Sequence, residues 1–202
     1  MRLPRTAYTS LPWRSHEIAG DFRAEDVWDL PTPGGPDDLT HLVRQFAGDA
    51  PEEGAPISGT VPRLLFKARW KLGALLGWDR PEASVGARVP TLRDRLPADL
   101  RDGTRGPDLR AVPFTSVYRT HDEWLAESAN RTVHMAMHIG WVPDGTGGHR
   151  GRMTVLVKPN GRLGSLYLLA IKPFRYLGVY PAFLRQIGRE WREGAAARAA
   201  AG

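Results

Sequence analysis

Between residues 132 and 142 the chain reads TVHMAMHIGWV, and its bulky apolar side chains fall on every second position. Val133, Met135, Met137, Ile139 and Trp141 are odd-numbered; Thr132, His134, Ala136, His138 and Gly140 are even-numbered. A period of two belongs to a strand, not a helix. Residues 152–159 repeat it, with Met153, Val155 and Val157 alternating against Thr154, Leu156 and Lys158. The glycine-rich PDGTGGHRG lies between the two runs, so they predict a hairpin with a loose tip. PFTSVYR at 113–119 predicts another strand, and DFRAEDVWDL at 21–30 a strand or an irregular segment.

The helical period of 3.6 shows in three places. Residues 37–48 carry acids in the first turn, then Leu39, Leu42, Val43 and Phe46, then a terminal glycine. Residues 61–78 open on Pro62, bury Leu65, Ala68, Leu72, Leu75 and Leu76, and place Arg63, Lys67 and Lys71 in one basic stripe. Residues 162–192 predict a long apolar helix, kinked or divided by Pro173 and Pro181, with a frayed tail over 193–202. Thr120 to Glu123 has the S/T-x-x-E form of a capping box, which predicts a short helix over EWLAESA, left through Asn130 in a left-handed conformation. Residues 79–113 are rich in Arg, Asp and Pro; Leu92, Leu96 and Leu100 mark a short helix or a poorly patterned strand pair. There is no internal repeat.

The chain has 202 residues, room for one domain with a sizeable core. It has no cysteine, which excludes disulfides, thiolate zinc sites and a cysteine nucleophile. Its beginning lacks the apolar run of a secretory signal, and the run near LYLLAI is too short to span a bilayer, so a cytoplasmic protein is expected. The net charge of +6 invites nucleic acid as a partner. Four lysines among 28 basic residues argue against it, since so strong an arginine bias reflects coding composition as readily as phosphate binding. From Arg150 onward ten basic residues face two acidic ones, Glu190 and Glu193, which predicts a basic C-terminal face.

His134 and His138 have the H-x-x-x-H spacing of helical metal ligands. On a strand they stand about 13 Å apart at a rise of about 3.3 Å per residue, too far to share one zinc. No metal site and no cofactor are expected: there is no phosphate loop, no G-x-S-x-G, and the glycines at 145–151 lie between strands.

NRTVHMAMHIGW (130–141), VLVKPNGRLGSLYLLAIKPFRYLGVYP (155–181) and FKARWKLGALLGWD (66–79) together resemble an uncharacterised family of domains of unknown function in the START-like, helix-grip (SRPBCC) superfamily. The resemblance runs from about residue 21 to 191. It implies a single α+β domain over 1–202, with a curved antiparallel sheet gripping a long, kinked C-terminal helix and two helices before the sheet. Members of that superfamily include lipid carriers and cyclase/aromatases, so the fold alone does not select a chemistry. The expected ligand is a hydrophobic small molecule or lipid between sheet and helix. Met135, Met137, Ile139 and Trp141 would face it from the sheet, with Tyr167, Ile171 and Phe174 opposite; the same residues would equally fill a solid core.

That orientation puts His134 and His138 on the other face, solvated or covered by the early helices. Reversed, they and Tyr118 would supply acid–base groups for a cyclase- or hydrolase-like enzyme. Tyr118 and Arg119 would then stand at the cavity mouth, while Glu123 serves the cap. Lys172 and Arg175 would meet an acidic ligand or face water. A basic surface module for an anionic membrane or nucleic acid, using Arg63, Lys67, Lys71 and the C-terminal arginines, is a third expectation.

Overall fold

The computed structural model describes residues 1–48, 85–86, 89–109, 112–130, 132–161, 176 and 179–201. The elements are β1 (Arg2–Leu3), α1 (Thr6–Thr9), α2 (Ser15–Ile18), β2 (Arg23–Asp29), α3 (Leu39–Ala47), a 3-10 turn (Leu92–Arg95), α4 (Ala98–Arg101), β3 (Thr115–Arg119), β4 (Glu123–Ala129), β5 (Val133–Pro143), β6 (His149–Pro159) and α5 (Tyr180–Ala201). Among the described residues six strands form one antiparallel sheet in the order β1-β2-β6-β5-β4-β3. The hairpin β5–β6 is its spine, paired without interruption from Val133↔Pro159 to Pro143↔His149. Bulges between Ala24 and Asp26 and between Ser116 and Tyr118 bend β2 and β3.

Both sheet faces are covered. Odd residues of β5 pack beneath α3 and α5: Ile139, Met137 and Trp141 join Leu42, Val43, Tyr180, Ile187 and Trp191 in one cluster. Trp141 and Trp191 lie 5.9 Å apart, and their indole N–H groups donate to the carbonyls of Gly35 and Pro33. On the even side, α1, α2 and the 92–101 segment close a second cluster over Val27, Val117, Tyr118, Leu125, Ala136 and Leu156. Gly140 permits that cover: a Cβ there would stand 2.6 Å from the Trp13 ring.

The strands expected at 21–30, 113–119 and 133–159 are present, and Leu92, Leu96 and Leu100 anchor short helical turns. The helix expected over EWLAESA is instead β4. Thr120 Oγ1 does accept the Glu123 amide at 3.1 Å, but in a turn between strands. Every side chain from Glu123 to Ser128 is buried, so no exposed face fixes a helical stripe. Asn130 makes no left-handed exit: among the described residues positive φ occurs only at glycines, and its side-chain oxygen accepts the Thr132 and Val133 amides at 2.9 and 3.0 Å. The tail expected to fray continues α5 to Ala201, and Pro181 sits in that helix's first turn, where its missing N–H costs little. The helix over 61–78, the segment 162–175 with its Pro173, and Tyr167, Ile171, Lys172, Phe174 and Arg175 lie outside the described residues. Among the described residues no helix is long and apolar enough to cross a membrane.

Candidate functional site

β4 carries two acids four residues apart, and β5 two histidines four apart. Antiparallel pairing of Glu123 with Gly140 and Ala129 with His134 makes each acid the diagonal neighbour of one histidine. His138 Nε2 meets Glu123 Oε2 at 2.9 Å, and His134 Nε2 meets Glu127 Oε2 at 2.8 Å. All four side chains are at most 5% exposed. A carboxylate only accepts, so in each pair Nε2 carries the hydrogen and the ring tautomer is fixed.

Each glutamate also fastens a cover element. Glu123 Oε1 accepts the Arg14 amide at 2.7 Å, at the start of α2. Both oxygens of Glu127 accept the Leu92 amide, at 3.0 and 3.1 Å, and Thr91 Oγ1 donates to the same carboxylate. Tyr8 and Trp13 lie on the His138 ring at 5.2 and 4.9 Å, and Phe22 on the His134 ring at 4.9 Å. Burial pushes the Glu123 carboxyl up, but the hydrogen bond and charge of His138, with the Arg14 amide, outweigh it and hold the group below its ordinary value. Burial, then the Glu123 charge, pushes the Tyr118 phenol far up; burial pushes Tyr8, bonded to Ser15 Oγ at 2.9 Å, up to about 12. Tyr118 therefore does not stand at a cavity mouth: it is fully buried. Among the described residues, His138 Nδ1, Thr154 Oγ1 and Trp13 Nε1 are buried with no hydrogen-bond partner, and Tyr118 Oη meets Glu123 and Ser15 without good hydrogen-bond geometry.

On the opposite face the β2 bulge turns Asp26 towards α5, where it accepts from Tyr180 Oη at 2.8 Å and from Tyr176 Oη. Arg2 bonds Tyr176 Oη at 3.0 Å. Both the Glu–His pairs and this Asp–Tyr cluster escaped the sequence reading. The matching intervals of four, acids on one strand and histidines on the next, were the signal available for the first. Among the described residues no three of His, Asp and Glu converge as metal ligands.

Around Met137, Ile139 and Trp141 the described part of the sheet–helix interface is packed by Leu42, Val43, Tyr180, Ile187 and Trp191, while Met135 is half-buried on the same face. Open space lies at its flank. A groove of about 720 Å³ runs between α5 and the end of β2, floored by Leu30, Pro31, Leu184 and Gly188. Its rim carries Arg150, Arg185, Arg189 and Arg192, together with Asp29, whose carboxylate is held by Arg152 at 2.9 Å. Gly188 sets the floor: a Cβ there would stand 2.9 Å from Pro31 Cγ, so any other residue would force helix and strand apart.

An antiparallel sheet with a terminal helix across one face and a ligand-sized flank groove thus defines the molecule. Residues 18–182 match the model of the family described as "Protein of unknown function (DUF2867)", and the chain belongs to that family. No curated protein and no solved structure matches the chain.

Proposed function

We propose that the protein binds an apolar small molecule or lipid bearing an acidic head, in the groove where the C-terminal helix leaves the sheet. One observation carries this reading: the groove has the volume of a small-molecule site, with an apolar floor and a rim of guanidinium groups. The resemblance to helix-grip proteins, whose ligands lie against the terminal helix, supports a ligand site bordered by that helix. Titration with decanoate, followed by tryptophan fluorescence of Trp191 and Trp28 and by calorimetry, tests it. Saturable one-to-one binding is expected. Leu184→Asp, which puts a like charge on the floor, is expected to weaken it at least tenfold in a protein that still melts cooperatively. Wild-type protein that binds neither decanoate nor decyl phosphate at millimolar concentration would refute the proposal.

A second reading rests on His138, whose Nε2 is fixed by Glu123 while Nδ1 has no protein partner. Nδ1 is the atom through which such a ring would exchange a proton, with Tyr118 as the other polar group in the same buried cluster. Such a centre works only if the α1–α2 cover opens. Diethyl pyrocarbonate should then modify His138 in the native protein; complete protection under native conditions removes the enzyme reading.

A further inference from the structure

We infer that the head group taken by the groove is of phosphate type and carries two or more negative charges. This rests on the proposal that the groove binds a ligand. The first argument is charge count. Four cationic groups line the space, and its one acid, Asp29, is already neutralised by Arg152. Arg150 is held in place, donating to the Asp144 carbonyl at 3.1 Å with that carboxylate 4.0 Å away. Arg185, Arg189 and Arg192 form no ion pair with any described residue, although Glu190 and Glu193 lie on the same helix. Glu190 is engaged by Gln45 and Gln186 instead.

The second argument is placement. Positions 185, 189 and 192 follow the i, i+4, i+7 rhythm, so at about 100° per residue they share an arc of about 60° and span about 10 Å of axis. Next to them around the helix come Gly188 and Leu184, the groove floor, and then Ile187 and Trp191, the packed core. Cation, cleft and core therefore succeed one another across a single helix, and a ligand with its tail on the floor has its head among the arginines.

The third argument is chemical fit. A carboxylate offers one charge and two acceptor oxygens to three or four guanidinium forks. A phosphate monoester offers about −1.5 to −2 and three oxygens, and a diphosphate more. Guanidinium binds such oxygens in pairs, which a lysine ammonium does not. Single exposed ion pairs contribute little; several cations focused on one anion beside a low-dielectric floor contribute far more. A nucleic-acid backbone shares the phosphate chemistry but has no use for an apolar floor a few ångströms from it.

Decyl phosphate, decanoate, decanol, inorganic pyrophosphate and a short DNA duplex, titrated into the full chain, separate these cases. Decyl phosphate is expected to bind at least tenfold more tightly than decanoate, and its affinity to fall when salt rises from 50 to 300 mM. Arg185→Gln with Arg189→Gln is expected to bring the phosphate-to-carboxylate ratio within threefold. Binding of pyrophosphate without any of the decyl compounds would support the anion site while refuting the lipid reading. Equal affinity for decyl phosphate, decanoate and decanol would overturn the inference and leave the lipid reading standing. A duplex that binds more tightly than decyl phosphate and loses its affinity in the same double variant would overturn the inference and the lipid reading together.

Discussion

Glu123 and Glu127 are the residues on which the buried layer depends. Each sits in an apolar stratum, and each is made tolerable by one imidazole and one main-chain amide from the cover. Glu123→Ala leaves His138 and the Arg14 amide without an acceptor, so urea unfolding should show a loss of about 3–5 kcal/mol, the usual cost of orphaning a buried charged partner. Tyr118→Phe should behave oppositely. Its hydroxyl is buried without a well-formed bond, so removing it should cost under about 1 kcal/mol or stabilise slightly. A large loss in that variant would show the hydroxyl to be engaged after all.

The same carboxylate sets the acid limb of stability. Glu123 titrates lower in the folded chain than the unfolded value of about 4.3, so it stabilises fully above that pH and its contribution disappears as pH falls through the depressed folded value. Unfolding free energy measured from pH 6 down to pH 2 should decline more steeply in the wild type than in Glu123→Gln. At the alkaline end the sign reverses. Tyr8 is raised to about 12, so stability present below about pH 10 should drain away between 10 and 12, and less so in Tyr8→Phe.

Among the elements, α5 shows how one helix serves two purposes. Its inner stripe is a wall of the core, and its arginine stripe borders the groove. Two glycines in it should respond differently to alanine. At Gly194 the nearest atom to an added Cβ is the far end of Arg198, 3.2 Å away, which can move, so Gly194→Ala should gain about 0.5–1 kcal/mol from helix propensity. At Gly188 the obstacle is the stiff Pro31 ring, so Gly188→Ala should lower the melting temperature. A Gly188→Ala protein as stable as Gly194→Ala would mean that helix and strand part without cost.

At the level of the whole molecule, what the sequence revealed followed one rule. Where opposite faces of an element meet different surroundings, the period was legible. The odd residues of β5 and β6 are more apolar than the even ones because one side meets two helices and the other a thin cover with charged pairs in it. β4 was illegible because both its faces are buried: Trp124, Leu125 and Ala126 follow one another with no alternation, and acids at 123 and 127 imitate the spacing of a helix. The site was less legible than the fold. The basic character of the C-terminal region could be read from charge alone, but the groove arises from β2 and α5, more than 150 residues apart, meeting at Pro31 and Gly188. The acid–base pairs required knowing that β4 is a strand.

β2 finds its main neighbour, β6, only near residue 157, having been made at residue 23. At about 5–20 residues per second of synthesis, its open edge waits on the order of ten seconds for the hairpin that shields it. Stalled nascent chains should remain cleavable within β2 until β6 has left the ribosome, and then become resistant in one step. A cell making this protein must therefore keep that edge from other chains until β6 has been made.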